Sequence, residues 1–212
     1  MFDPNTLDAV IFDFGGVILN LDYPATDKAL RALLGESGEV RYTKSHQGKV
    51  FDDFEIGAID QSQFYRSIRE AAQEPVSDEQ IQKAWNAMLL DSPVERFAFV
   101  REVAKRYRTF LFSNTNSIHK AAFDKTLEQH LGPGGFDKLF EKAYYSHTFG
   151  MRKPHPETYL KMLNENGLKP ERTLLIDDNQ ANIEGAQKAG LQVYLHSGDL
   201  LDAHALQTLL KK

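Results

Sequence analysis

Cysteine is absent from the 212 residues, which excludes disulfides and thiolate metal sites and fits a reducing compartment. Also missing are an apolar run of membrane-spanning length and an N-terminal basic segment leading into an apolar one. Cytoplasmic residence with no membrane partner is therefore the expectation. Positive charge is in deficit: 25 Lys plus Arg stand against 30 Asp plus Glu, a net charge of -5. No long basic run offsets it, which argues against nucleic acid as a partner and means that an anionic ligand has to be captured locally. No repeat or low-complexity tract interrupts the chain. Its length suits one sizeable domain, or one domain carrying a smaller insertion. Oligomeric state leaves no mark in the sequence.

What is present begins with Ala9-Val10-Ile11-Phe12-Asp13-Phe14-Gly15-Gly16. Four apolar residues run into an aspartate and two glycines, the pattern of a fully buried strand ending in a tight turn. A buried carboxylate is costly unless it is paired or bound to a cation, so Asp13 is a functional-site candidate on physical grounds. Two further apolar runs end the same way: Thr109-Phe110-Leu111-Phe112 in Ser113-Asn114, and Thr173-Leu174-Leu175-Ile176 in Asp177-Asp178. Ala143-Tyr144-Tyr145 is a weaker strand candidate and Leu191–Leu195 the last one. Helical patterns separate them. One follows Ser92-Pro93-Val94-Glu95, where Ser92 is expected to cap, others span about 118–130 and 180–189, one starts at Lys153-Pro154-His155-Pro156, and the tail reads as helical.

Strands alternating with helices predict an α/β fold with a doubly wound parallel sheet, whose ligands sit outside the carboxyl ends of the strands. Residues from about 21 to 91 break that alternation and read as helices only. Asp22-Tyr23-Pro24 opens the first, with Leu30, Leu33 and Leu34 on its apolar face and Gly35 ending it. Tyr42, Val50, Phe51 and Phe54 are the expected inward positions of the next stretch, and Asp60-x-x-Gln63 and Ser77-x-x-Gln80 are capping-box patterns. The expected organisation is a core of residues 1–20 and 92–212 with a helical insertion at 21–91.

The motifs together resemble the haloacid dehalogenase-like hydrolases, specifically the phosphatases with a helical cap inserted after the first motif. They are Phe12-Asp13-Phe14-Gly15-Gly16-Val17, Leu111-Phe112-Ser113-Asn114, Gly150-Met151-Arg152-Lys153-Pro154 and Leu175-Ile176-Asp177-Asp178-Asn179, in family order along the whole chain. The resemblance implies that Asp13 attacks phosphorus to give an aspartyl-phosphate, dividing hydrolysis into two displacements. It implies a magnesium ion on the Asp13 carboxylate, the Gly15 carbonyl oxygen and Asp178, with Asp177 nearby. Lys153 would neutralise nucleophile and phosphoryl oxygens, and the Ser113 hydroxyl and Asn114 N–H would hold the transferring group. Asn182 either orients Asp178 or faces solvent. A small phosphomonoester is the implied partner. The alternatives are a 2-haloacid dehalogenase, which also attacks with aspartate but needs no metal, and a catalytically weakened phospho-ligand-binding protein.

One position departs from the family pattern. Most of its phosphatases carry a second aspartate two residues after the nucleophile, where it protonates the leaving alkoxide; here that residue is Gly15. Such help is typically worth roughly 10²- to 10⁴-fold. Either another group acts, with His46, Asp52 and Glu55 as candidates, or the substrate carries a leaving group that needs less help. An anomeric hydroxyl is more acidic than an ordinary sugar alcohol, and the same Asp-x-Gly pattern occurs in similar phosphatases that act on glucose 1-phosphate. Sugar phosphates, especially aldose 1-phosphates, are thus the expected substrates. Arg41, Tyr42, His46 and Lys49 either reach the substrate or lie on a solvated face.

Overall fold

The apolar runs form one parallel sheet of five strands in a computed structural model that describes residues 2–35 and 48–211. They are β1 (Ala9–Phe12), β2 (Arg108–Ser113), β3 (Lys142–Tyr145), β4 (Thr173–Asp177) and β5 (Gln192–Leu195). Their order is β3-β2-β1-β4-β5, with Ile11 of the central β1 opposite Phe110 on one side and Leu175 on the other. From β1 the chain works outward to β3 and then returns to β4, so the topological switch point lies between β1 and β4. Side chains of β1 alternate between two cores. Val10 and Phe12 join a cluster with Phe99, Phe140 and Ile176, whereas Ala9 and Ile11 join Phe110, Tyr159 and Leu175 on the opposite face. A strand covered on both faces has no polar side, which is why β1 reads as a continuous apolar run.

Among the described residues from 21 to 91 stand four helices: α1 (Tyr23–Leu34), α2 (Lys49–Glu55), α3 (Gln61–Ala71) and α4 (Asp78–Trp85). The Asp22 carboxylate accepts from the Ala25 N–H to open α1, and both capping boxes close, at Asp60 with Gln63 and at Ser77 with Gln80. Leu30, Leu34, Phe51, Phe54, Phe64, Ile68, Ile81 and Trp85 bury one another in a third cluster, to which Ile118 contributes. Phe51 stacks on Trp85 with ring centroids 4.9 Å apart, and Phe54 on Phe64 at 4.4 Å. Val50 is half-buried against this cluster. Arg41, Tyr42 and His46 lie outside the described residues. The chain segments that enter and leave the four-helix block run side by side: Asn20 N–H donates to Asp91 O at 2.9 Å, and Leu90 N–H to Asn20 O at 3.1 Å.

The remaining helices are α5 (Val94–Ala104), α6 (Ser117–Leu131), α7 (Ser146–Phe149), α8 (Pro156–Glu165), α9 (Gln180–Lys188) and α10 (His204–Gln207). Apolar residues of α5, α6 and α10 cover one face of the sheet, those of α8 and α9 the other. The start of α5 differs from the expected one. Pro93 occupies the cap position with extended ψ, and Val94 is the first helical residue. Ser92 therefore stands one residue too early to reach the free N–H groups, and its buried hydroxyl has no hydrogen-bond partner among the described residues. No helix among the described residues is long and apolar enough to cross a membrane.

Candidate active site

The carboxyl ends of β1, β2 and β4 deliver Asp13, Ser113 and Asp177-Asp178 to one crevice. Asp13 follows β1 directly; its N–H donates to Ile176 O of β4 at 2.9 Å, which fixes the residue at the switch point. One of its carboxylate oxygens accepts from the next N–H, that of Phe14, at 2.7 Å. Lys153 arrives from the loop before α8 and is fully buried, with Nζ 2.9 Å from Asp13 Oδ1 and 2.6 Å from Asp177 Oδ2. The Asn114 side chain holds that loop at both ends of one residue. Its Nδ2 donates to Lys153 O at 2.9 Å, and its Oδ1 accepts from Lys153 N–H at 3.0 Å. Ser113 is buried at the end of β2 and lines the crevice.

The two adjacent aspartates occupy different environments. Asp177 is fully buried and accepts from Lys153 Nζ, from the Asn179 N–H at 2.9 Å and from Asn182 Nδ2 at 3.0 and 3.1 Å. Asn182 was expected to orient Asp178 or to face solvent. It is buried instead and bonds Asp177, because the first turn of α9 folds back over the end of β4. Asp178 is half-buried and lies against the turn after β1. Gly16 there has φ 77°, and a Cβ on it would fall 2.1 Å from Asp178 Oδ2. Only glycine satisfies both the left-handed backbone and this close approach.

Charge is unbalanced at this point. Carboxylate oxygens of Asp13, Asp177 and Asp178 lie within 4.8 Å of one another, and among the described residues the ammonium in contact with them is that of Lys153. Burial pushes the Asp13 carboxyl up to about 8; the charge of Asp177 acts in the same direction, and Lys153 opposes it. Burial also works against the Lys153 ammonium, but the charges of Asp13 and Asp177 outweigh it and hold its pKa above the ordinary lysine value. A divalent cation beside these carboxylates would favour the ionised form of Asp13 at neutral pH. The donor set is all oxygen, which fits a hard cation such as magnesium.

Beyond the carboxylates the crevice widens into a cavity of about 600 Å³ between the sheet and the four-helix block. Asp13, Gly15, Ser113, Asn114, Lys153 and Asp178 are among its lining residues, together with Leu21, Tyr23, Glu55, Met88, Leu89, His119 and Arg152. Leu21 is the residue that sequence reasoning missed. A Cβ on Gly15 would lie 2.5 Å from Leu21 Cδ1, so the leucine methyl takes the space a side chain at position 15 would need. Of the alternatives for a proton donor, Glu55 lines the cavity, and Asp52, among the described residues, pairs with Arg152. His119 is locked in a neutral form. Its Nε2–H donates to Trp85 O at 3.0 Å, Nδ1 accepts from Asn116 Nδ2, and burial pushes its pKa down to about 4.

Three carboxylates and a buried ammonium at the switch point of a doubly wound sheet define a site class in which a hard cation and an anionic ligand are held together. The chain belongs to the haloacid dehalogenase-like hydrolase family, whose model matches residues 7–190. It is 26% identical to a D-ribitol-5-phosphate phosphatase from Bacteroides thetaiotaomicron, over 87% of this chain and 89% of that protein. It is 24% identical to a phosphorylated carbohydrates phosphatase from Thermotoga maritima, over 94% of this chain and 90% of that protein. Among solved structures, a wild-type enzyme of the same family from B. thetaiotaomicron, in complex with magnesium and inorganic phosphate, superposes with a TM-score of 0.80. The identity is 30%, over 90% of this chain and 94% of the other.

Proposed function

We propose that this chain is a magnesium-dependent phosphatase that hydrolyses a small sugar phosphate through an aspartyl-phosphate on Asp13. The observation that carries the reading is the contact of Lys153 with both Asp13 and Asp177 beside Asp178 at the switch point. Relatives named as sugar-phosphate phosphatases, and a family structure in complex with magnesium and phosphate, support it.

In the proposed reaction a carboxylate oxygen of Asp13 bonds to phosphorus as the bond to the leaving oxygen breaks. Water then attacks the same phosphorus, releasing phosphate and restoring the carboxylate. Asp13, the Gly15 carbonyl and Asp178 would hold the magnesium ion, which supplies charge neutralisation between nucleophile and phosphoryl oxygens. Asp177 has its lone pairs committed to Lys153, Asn179 and Asn182, so it acts by keeping the ammonium aimed at Asp13. Lys153, the Ser113 hydroxyl and the Asn114 N–H hold the transferring group. We read residues 21–91 as a cap that closes the cavity over the leaving group, with residues 1–20 and 92–212 as the core.

Within the sugar phosphates two leaving groups compete. The missing side chain at Gly15 favours an aldose 1-phosphate, whose anomeric oxygen leaves with less help. The relative named for ribitol 5-phosphate points to a primary alcohol. Phosphate release from a panel containing both, with magnesium and with chelator, tests the reading. The expected result is magnesium-dependent turnover, faster on 1-phosphates than on 5- or 6-phosphates, and lost in Asp13→Asn. Faster turnover of 6-phosphates would overturn the leaving-group argument, and chloride release from a 2-haloacid in chelator would overturn the phosphatase reading itself.

A further inference from the structure

We propose that Arg96 is a positioning residue for the magnesium site: its buried guanidinium clasps the turn after β1 and thereby fixes the Gly15 carbonyl and the approach of Gly16 to Asp178. The inference rests on the metal-dependent phosphatase reading and concerns a residue outside the motifs that carry it.

Arg96 stands in the first turn of α5 and is only 4% exposed. Arginine is almost never buried to this degree unless its donors are served. Its Nη1 donates to Ile18 O at 3.2 Å and to Asn20 Oδ1 at 2.9 Å, and its Nη2 pairs with Asp199 Oδ2 at 3.1 Å. Nε is buried and has no acceptor among the described residues, so the terminal nitrogens are what hold the side chain. Asn20 passes the restraint on: its Nδ2 donates to Asp91 Oδ1 at 3.0 Å, across the two segments that enter and leave the four-helix block.

The turn that Arg96 grips is closed on itself. Phe14 O accepts from the Ile18 and Leu19 N–H groups, both at 2.8 Å, and Gly16 N–H donates to Leu19 O at 2.8 Å. Gly15 and Gly16 lie inside this loop, so a shift at Ile18 is transmitted to the Gly15 carbonyl and to the glycine packed against Asp178. On the other side, Asp199 belongs to the segment after β5, where its Oδ1 accepts from Leu201 N–H at 2.8 Å. That segment begins at His196, whose N–H donates to Asp177 O at 2.8 Å. Strand β4 lies between β1 and β5. One guanidinium therefore ties together the segments that follow both neighbours of the strand carrying Asp177-Asp178. Such a restraint matters most for magnesium, which demands near-ideal octahedral geometry at about 2.0–2.1 Å, whereas calcium accepts roughly six to eight oxygens at about 2.3–2.6 Å in flexible arrangements. A loosened turn costs the smaller ion more.

Titration calorimetry of the full chain with magnesium and, separately, with calcium tests this. Arg96→Met, which keeps an unbranched apolar stem but none of the donors, is expected to bind magnesium at least tenfold more weakly and calcium no more than threefold more weakly. Dissociation constants do not depend on the fraction of folded protein, and a fold loosened in general would weaken both ions alike. Asp199→Ala frees the other end of the guanidinium at a residue whose side chain is 39% exposed, so it decides the matter should Arg96→Met fail to fold. A magnesium loss of at least threefold with calcium unchanged is expected there. An unmoved magnesium-to-calcium affinity ratio in the folded variants overturns the proposal, while magnesium-dependent phosphate release from a sugar phosphate by the parent keeps the phosphatase reading intact. A parent that binds no magnesium and releases no phosphate overturns both.

Discussion

Installing a carboxylate at position 15 is the sharpest perturbation this site offers. Gly15 has ordinary negative-φ backbone, so an L side chain is not excluded there by conformation. The obstacle is Leu21 Cδ1, 2.5 Å from where the Cβ would be, and it is the end of a flexible side chain. Forcing a side chain into such a space costs about 1–3 kcal/mol; shortening Leu21 to valine removes the offending methyl. The double variant Gly15→Asp/Leu21→Val is therefore the cleaner test. A proton donor at the leaving oxygen is worth roughly 10²- to 10⁴-fold, or about 3–5 kcal/mol of barrier, which exceeds the packing strain. The benefit has a signature, because it scales with how poorly the leaving group departs unaided. On a sugar 6-phosphate, kcat is expected to rise by at least tenfold, on a 1-phosphate by less, and on p-nitrophenyl phosphate by no more than twofold. Steady-state kinetics on the three substrates, with the melting temperature confirming a folded variant, reads this directly. A uniform change across all three would refute the idea that position 15 governs leaving-group protonation. Unchanged 6-phosphate turnover in a folded variant would show that another group already supplies the proton.

Two further outcomes follow from the carboxylate cluster. Gly16→Ala places a Cβ on a left-handed residue 2.1 Å from Asp178 Oδ2. Beyond about 1–2 kcal/mol of backbone strain it must displace that carboxylate, so titration calorimetry is expected to show magnesium affinity reduced by at least tenfold; unchanged affinity would remove Asp178 from the proposed ligand set. The second outcome concerns pH. Burial pushes the Asp13 carboxyl up to about 8 from 3.8 for an ordinary aspartate. Between those values the folded state holds a proton that the unfolded chain has released, so this group makes stability fall as pH rises from about 4 to about 8. A magnesium ion on the Asp13 carboxylate would favour its ionised form, so the stabilising effect of magnesium is expected to grow from pH 5.5 toward pH 8 in thermal melts. Asp13→Asn is expected to flatten the trend, and an equal magnesium effect at both pH values would count against Asp13 as a ligand.

The parts of this molecule that could be read from its sequence are those where one local pattern has one physical outcome. An apolar run buried on both faces of a sheet cannot carry a charge along its length, so the first polar residue after it marks a strand end. Asp13, Ser113 and Asp177 were legible for that reason. Capping boxes are equally local, and both in the four-helix block close. The cap expected at Ser92 failed because proline itself took the cap position, a shift of one residue that composition does not reveal. Contacts between segments distant in sequence carry no local mark at all. Nothing in Ser113-Asn114 says that the asparagine will grip the backbone of Lys153 across 39 positions, and the side chain of Asn182 could be assigned to the correct aspartate only once α9 was seen folding over β4. Leu21 is the extreme case. It reads as an ordinary apolar residue at a segment boundary, yet its methyl occupies the space beside Asp13 that the departure at Gly15 leaves open. Gly15 and Leu21 are therefore one feature in two places: the glycine removes a side chain, and the leucine fills the space. A substitution at either one alone tests only half of it.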